Sequence, residues 1–247
     1  MRGDLTARTI GIVGAGGDRI EAYSARPGDD GPRGGVVVIH HLPGFDAATK
    51  EITRRFAALG YDAVCPNLYY RDAPGADPDD AAALVRGSGG IADERLVGDV
   101  AGGAVHLRAL PSSNGKVAVI GFCSGGRQSV LAACRLELDA AVDCYGAYVT
   151  GTPPPDAVLA VTPLYDDLPW LRCPLLGFFG NEDKSPSVAH VDELDRLLTG
   201  YGKAHEFHRY DDAGHAFFAV DRPGYRQAAA TDGWRRIDEA FARLIGR

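Results

Sequence analysis

The chain has 247 residues, of which 45% are hydrophobic and 24% are charged, and its formal net charge at pH 7 is −7. These proportions are ordinary for a globular protein, and the acidic balance argues against the basic patch of a nucleic-acid-binding surface. No stretch approaches the ~20 apolar residues of a membrane-spanning helix, and the N-terminus lacks the apolar core of a secretory signal. We therefore expect a cytoplasmic protein with no nucleic-acid or membrane partner.

The five cysteines are scattered, with no Cys-x-x-Cys pair and no Cys/His cluster at zinc spacing. This usage is typical of reduced thiols, most of which behave as small buried hydrophobes. The sequence therefore predicts no metal site.

The N-terminal stretch TIGIVGAGGDRIEAYSARP reads as two strands around a glycine-rich turn. Its glycines suggest a dinucleotide-binding GxGxxG motif, but Arg19 stands where the third glycine is required. The residues that follow alternate like a strand and do not open a helix. We therefore predict a hairpin.

Strands and helices alternate after this hairpin. Val36–Ile39 is a continuous run of β-branched residues, typical of a strand buried on both faces. Ala47–Leu59 has apolar residues at helical spacing, and residues 69–80 read as a polar, Pro-rich loop. The later predicted elements are strands within 60–66, 117–120, 138–146, 173–180 and 205–210, and helices over 93–110, 187–198 and about 232–245.

This alternation predicts an α/β fold with a mainly parallel sheet, helices on both faces and an N-terminal antiparallel hairpin. No repeat, linker or low-complexity segment divides the chain. We therefore expect a single domain over residues 1–247.

The stretch Gly121-Phe122-Cys123-Ser124-Gly125 follows a predicted buried strand. It has the G-x-nucleophile-x-G pattern of a nucleophile elbow, in which a strained central residue projects above the sheet and flanking glycines avoid clashes. The spacing makes the Cys123 sulfur the candidate nucleophile and the Ser124 backbone N–H a candidate oxyanion donor. The alternative interpretation is a tight turn with an inert cysteine.

Active sites of open α/β sheets lie at the carboxyl ends of strands, and a cysteine nucleophile needs a base that an acid orients. Glu182 and Asp183 both follow the strand at 173–180, and we favour Asp183 as the acid. His215 follows the last predicted strand in a short loop and is the candidate base. The chain order nucleophile, acid, base is the one expected in this architecture.

The loop HHLPG after the first buried strand is expected to supply the second oxyanion donor. The backbone N–H of Leu42 is the candidate, because Pro43 has none. His41 either contacts substrate or tunes the thiol, or it only holds the loop by hydrogen bonds, and both interpretations stay open. For His40 we favour the second.

These motifs together resemble the dienelactone hydrolase family of the α/β-hydrolase superfamily over roughly residues 8–245. The resemblance implies an α/β-hydrolase fold, hydrolysis of esters and lactones without metal or organic cofactor, and a catalytic triad of Cys123, Asp183 and His215. It also implies oxyanion donors at Leu42 and Ser124. The matching stretches are GYDAVCPNLYYRDAPG, SNGKVAVIGFCSGG, YG at 145–146, GNEDKSPS and AGHAF.

The chain departs from the family pattern at two places. His41 stands where well-known members carry a glutamate that interacts with the cysteine, and Ala219 stands near the place of an arginine that holds a substrate carboxylate. The stretch HAFFAV and a nearby tyrosine suggest a more apolar acyl or lactone pocket. We therefore predict that His41, Tyr145 and Phe217 contact substrate.

The sequence thus predicts a cysteine hydrolase that cleaves a small-molecule ester or lactone through an acyl-enzyme on Cys123, as a monomer or homodimer. Two alternatives stay open: a general esterase or thioesterase, and a non-catalytic ligand-binding or sensing protein on the same scaffold. A redox sensor is disfavoured because no resolving cysteine is evident.

Overall fold

The computed structural model describes residues 4–29, 31–41, 44–155, 157 and 160–247. The strands are β1 (Leu5–Val13), β2 (Arg19–Pro27), β3 (Arg33–Ile39), β4 (Asp62–Pro66), β5 (Ser113–Phe122), β6 (Ala140–Cys144), β7 (Leu175–Gly180) and β8 (His205–Tyr210). The helices are α1 (Ala47–Leu59), α2 (Pro78–Gly87), α3 (Asp93–Arg108), α4 (Ser124–Arg135), α5 (Val188–Gly200) and α6 (Gln227–Leu244).

The eight strands form one sheet in the order β1-β2-β4-β3-β5-β6-β7-β8. The β1–β2 and β2–β4 pairs are antiparallel, and every other pair is parallel. The predicted α/β class, the mainly parallel sheet and the N-terminal hairpin are therefore confirmed.

Helices cover both faces of the sheet because the parallel strands are apolar on both sides. In β3, Val37 and Ile39 belong to the core under α2, α3, α4 and α5, whereas Val36 and Val38 belong to the core under α1 and α6. Successive side chains of a strand point to opposite faces, so one short apolar run contributes to two cores.

Several element boundaries differ from the sequence prediction, most clearly at the starts of α2 and α6. The loop predicted over 69–80 ends earlier, because α2 begins at Pro78 with Asp77 as its N-cap, whose side chain accepts a hydrogen bond from the Asp79 N–H. The Asp-Pro pair is a typical helix start, and the apolar residues after it are buried. The last helix begins at Gln227, five positions before the predicted start, in an alanine-rich stretch that favours helix.

The parallel strands bring the candidate residues to one edge of the sheet. Cys123 follows the last residue of β5 directly, Asp183 comes shortly after β7, and His215 comes shortly after β8. Within the described ranges, none of the helices combines the length and apolar character needed to cross a lipid bilayer.

Candidate active site

Cys123 lies at a sharp turn between β5 and α4. Its backbone angles are φ 56° and ψ −121°, and a positive φ is rare for residues other than glycine. The N–H of Cys123 donates to the carbonyl oxygen of Cys144 on the neighbouring strand, 3.0 Å away, which holds the turn to the sheet. Such strain is found mainly where the surrounding structure enforces it, often at functional sites.

Both flanking glycines are required by close backbone contacts. A Cβ atom on Gly121 would overlap the carbonyl oxygen of Gly125, and a Cβ atom on Gly125 would lie 2.8 Å from the carbonyl oxygen of Ile39. The turn therefore accepts side chains at its centre but not two residues to either side, as the elbow pattern predicts.

We expect Gly121→Ala to lower the free energy of unfolding by about 3 kcal/mol or more, because neither backbone group can move away. Chemical denaturation followed by circular dichroism measures this change. Gly87→Ala is the matched control, since a Cβ at that exposed helical position meets no atom within 4 Å. An unaltered denaturation midpoint for Gly121→Ala would contradict the tight turn.

The structure brings Cys123, His215 and Asp183 into one hydrogen-bonded series. Nε2 of His215 lies 3.1 Å from Sγ of Cys123, and Nδ1 lies 2.8 Å from Oδ2 of Asp183. The other carboxylate oxygen of Asp183 accepts a hydrogen bond of 2.9 Å from the Ser185 N–H. The carboxylate is therefore fixed from two sides, whereas Glu182, the alternative acid, is exposed.

This environment controls the protonation of His215. Burial lowers the pKa of the imidazole, but hydrogen bonds to Asp183 and Cys123, together with the charges of those groups, raise it to about 10. These contacts favour the protonated imidazole, in which one N–H is directed at the carboxylate and the other at the sulfur.

The two histidines after β3 both make hydrogen bonds through their rings. The buried His40 accepts a hydrogen bond of 3.2 Å from the Leu68 N–H at Nε2, and its Nδ1 lies 3.0 Å from the carbonyl oxygen of His41. Burial lowers the pKa of His40 to about 4, which keeps Nε2 free to accept. Nε2 of His41 lies 2.9 Å from Oδ2 of Asp46, the N-cap of α1.

A cleft of about 420 Å³ opens beside the cysteine. Its wall combines the hydrogen-bonded series with the first turns of α4 and two loop segments. Ser124 is among the lining residues, and the first N–H groups of a helix have no acceptor within it. Leu42, the other predicted oxyanion donor, lies outside the described residues. The lining residues are Cys123, Ser124, Arg127, Gln128, Ala147, Tyr148, Val161, Asp183, Lys184, Ser185 and His215.

The three side chains predicted to contact substrate do not line this cleft in the part of the chain that the structure describes. Tyr145 and Phe217 are buried in the core under α1 and α6. Their rings pack against each other there, with centroids 5.3 Å apart. Tyr145 also packs edge-on against the ring of His215, 5.1 Å between centroids, and so supports that ring from the core side. The ring of His41 is bound to Asp46.

Sequence reasoning overlooked several of the residues that form the cleft. Gln128 follows Ser124 by four positions on α4, and this spacing places both on one helix face, a signal that the sequence contains. Tyr148 and Val161 come from loops, where no periodicity indicates which side chains meet the site.

Comparison with known proteins identifies the family. Residues 20–245 match the model of the dienelactone hydrolase family. This chain belongs to that family. Its fold and its motifs therefore agree with the resemblance found in the sequence.

Relatives in the dienelactone hydrolase family match along most of their length. A protein of Salmonella typhimurium named "Putative carboxymethylenebutenolidase" is 35% identical over 94% of this chain and 85% of its own length. The carboxymethylenebutenolidase of Pseudomonas putida is 30% identical over 82% of this chain and 83% of its own. A "Putative Dienelactone Hydrolase" from Klebsiella pneumoniae superposes with a TM-score of 0.85 and 28% identity, covering 97% of this chain and 99% of its own.

Membership of the dienelactone hydrolase family defines the class of reaction. The protein is a hydrolase that acts on ester or lactone bonds of small molecules.

Proposed function

We propose that this hydrolase cleaves its ester or lactone through an acyl-enzyme on Cys123, with His215 as acid and base and Asp183 as the group that orients His215. One observation carries the proposal: the sulfur lies 3.1 Å from the imidazole and the imidazole lies 2.8 Å from the carboxylate of Asp183, whose side chain is only 3% exposed, all beside one cleft. A nucleophile, a base and an orienting acid in this geometry are the elements of covalent acyl transfer.

In the first step the Cys123 thiolate, paired with the His215 imidazolium, attacks the carbonyl carbon. A C–S bond forms and the carbonyl π electrons move to oxygen. The backbone N–H of Ser124 stabilises this oxyanion, and the N–H of Leu42 is its proposed second donor. Donors that are already oriented stabilise the charge without reorganisation, which lowers the barrier.

In the second step the C–O bond to the leaving group breaks. The proton on Nε2 of His215 passes to the departing alkoxide, so that the alcohol, or the hydroxyl end of an opened lactone, is released. The neutral imidazole then takes a proton from water, whose oxygen attacks the thioester carbonyl. Collapse of that intermediate breaks the C–S bond, releases the carboxylic acid and restores the thiolate–imidazolium pair.

The proposed pair of the Cys123 thiolate and the His215 imidazolium needs no carboxylate at position 41 to hold the proton of the thiol. His41 occupies that place in the sequence, and its ring hydrogen-bonds to the N-cap of α1. We therefore assign thiol activation to His215 and Asp183, whose contacts hold the proton on the ring.

An acid-quench experiment tests the acyl-enzyme. Mixing the enzyme with p-nitrophenyl acetate, quenching within the first turnovers and measuring the intact mass is expected to show one added acetyl group, located on Cys123 by peptide mapping. Cys173→Ala, which removes a buried thiol whose pKa burial raises to about 12, is the matched control and is expected to acylate normally. Turnover with no acetyl group on Cys123 would refute the covalent route, and binding without turnover would support the ligand-binding alternative.

A further inference from the structure

Gln128 lines the cleft, and the oxygen of its side-chain amide has no hydrogen-bond partner among the residues that the structure describes. It lies one helical turn after Ser124 on α4, and both residues contribute to the cleft wall. Oε1 of Gln128 is shielded from water and accepts no hydrogen bond from any described residue. Leaving a buried amide oxygen unpaired is costly, so such a group calls for an explanation in the form of a ligand or a bound water.

Three polar side chains of the cleft wall, those of Arg127, Asp183 and His215, hydrogen-bond to groups other than Gln128. Both terminal nitrogens of Arg127 hydrogen-bond to the carboxylate of Asp93, at 2.8 and 2.9 Å, and one of them also donates to the carbonyl oxygen of Thr162 at 2.6 Å. Asp183 and His215 belong to the hydrogen-bonded series with the cysteine. These three side chains therefore do not satisfy the amide oxygen of Gln128, and a ligand in the cleft can.

The ion pair of Arg127 with Asp93 also affects the charge of the cleft wall. It neutralises Arg127, a buried cation of the cleft wall, and Arg127 also holds the chain next to Val161 by its hydrogen bond to the Thr162 carbonyl. The remaining wall is largely apolar, with Ala147, Tyr148 and Val161. Lys184 also lines the cleft but is exposed, so a group that enters between the apolar side chains meets a neutral amide there and no unpaired buried charge among the described residues.

We propose that Gln128 binds an uncharged oxygen function on the acyl part of the substrate, so that the enzyme selects esters and lactones whose acyl chain carries a hydroxyl or carbonyl group beyond the scissile carbonyl. This inference rests on the proposed function, because it places the acyl group in the cleft beside Cys123. The terminal torsion of a glutamine is broad, so the amide turns toward the cleft at little cost and offers both a donor and an acceptor.

A pair of matched esters tests this selectivity. p-Nitrophenyl 3-hydroxybutyrate carries a hydroxyl group where p-nitrophenyl 3-methylbutyrate carries a methyl group. The hydroxyl ester is used as the enantiomer that the enzyme prefers. The kcat/KM of each ester is divided by its rate of hydroxide-catalysed hydrolysis to correct for intrinsic reactivity. This normalised kcat/KM of the wild type is expected to be about three- to tenfold higher for the hydroxyl ester, the ratio that one net hydrogen bond supports.

Gln128→Leu and the unbranched Gln128→Met are both expected to abolish or reverse this preference, while still hydrolysing the methyl ester. Their thermal unfolding temperatures are expected to equal or exceed that of the wild type, because each removes an unpaired buried oxygen. Gln227→Leu, at an exposed glutamine on α6, is the control and is expected to keep the wild-type ratio.

The outcomes separate this inference from the proposed function. Hydrolysis of both esters without a wild-type preference for the hydroxyl ester, or with the same preference in both Gln128 variants, would overturn the role of Gln128 and leave the cysteine mechanism standing. Failure of the wild type to hydrolyse either ester would remove the proposed function and this inference with it.

Discussion

Cys123→Ala is expected to lower kcat/KM for p-nitrophenyl acetate by at least about 10³-fold, because the variant has no nucleophile to form the acyl-enzyme. The same assay is expected to show a smaller loss for Cys123→Ser, whose hydroxyl occupies the same place but gives up its proton far less readily than a thiol. Both variants are expected to keep the wild-type circular dichroism spectrum, since each substitutes a side chain no larger than the original.

Two controls make the result specific to this sulfur. Cys173→Ala and Cys134→Ala each remove a buried thiol. Burial raises the pKa of both thiols to about 12, so neither is available as a nucleophile at neutral pH. Their turnover is expected to match that of the wild type. Undiminished turnover by Cys123→Ala would mean that hydrolysis proceeds without this cysteine.

Asp183→Asn is expected to lower kcat/KM for an alkyl ester such as ethyl butyrate by roughly 10²–10⁴-fold, because the imidazole loses the carboxylate that orients and charges it. The asparagine keeps an oxygen that can accept the Ser185 N–H, so the loop is expected to hold its shape. Glu182→Gln removes the neighbouring exposed carboxylate and is the matched control, with wild-type activity expected.

The pH dependence of the same reaction follows from the raised pKa of His215. Below about pH 10 the ring keeps the proton that the leaving alkoxide needs, so wild-type kcat/KM for ethyl butyrate is expected to fall as pH rises through about 10. Asp183→Asn removes a hydrogen bond that stabilises the imidazolium, and its alkaline limb is therefore expected at lower pH. A p-nitrophenyl ester, whose leaving group needs no proton, is expected to show a weaker alkaline limb. Identical alkaline limbs for the two enzymes would contradict the assigned pairing.

The nucleophile turn is the part of the site that local sequence describes most fully. Glycines at 121 and 125 around Cys123 follow a buried strand, and the structure shows a strained turn in which those glycines make close backbone contacts. Local sterics decide such a turn, so a short motif is enough to predict it. The positions of Asp183 and His215 just after strands were predictable for a related reason, since parallel strands end at one edge of the sheet.

Other parts of the chain needed the tertiary structure. Helix α2 lies in a stretch whose composition indicated a loop; its Asp77-Pro78 start is a local signal, but the burial of Ala81, Ala82 and Val85 that stabilises so short a helix depends on the tertiary core. Tyr145, predicted to contact substrate, lies under His215 in the core because the aromatic residues after β6 and β8 pack together. No local pattern distinguishes an aromatic residue beside a site from one behind it.

The sequence by itself determined the alternating α/β class, the family motifs, the strained cysteine turn and the order of the candidate nucleophile, acid and base. These features depend on periodicity and on contacts within a few residues. Only the tertiary structure decided that Arg127 is neutralised by Asp93, that Gln128 and Val161 line the same cleft, and that Tyr145 packs against the ring of His215. Such contacts join residues far apart in the chain, and the strand order and side-chain packing that create them follow from the whole fold.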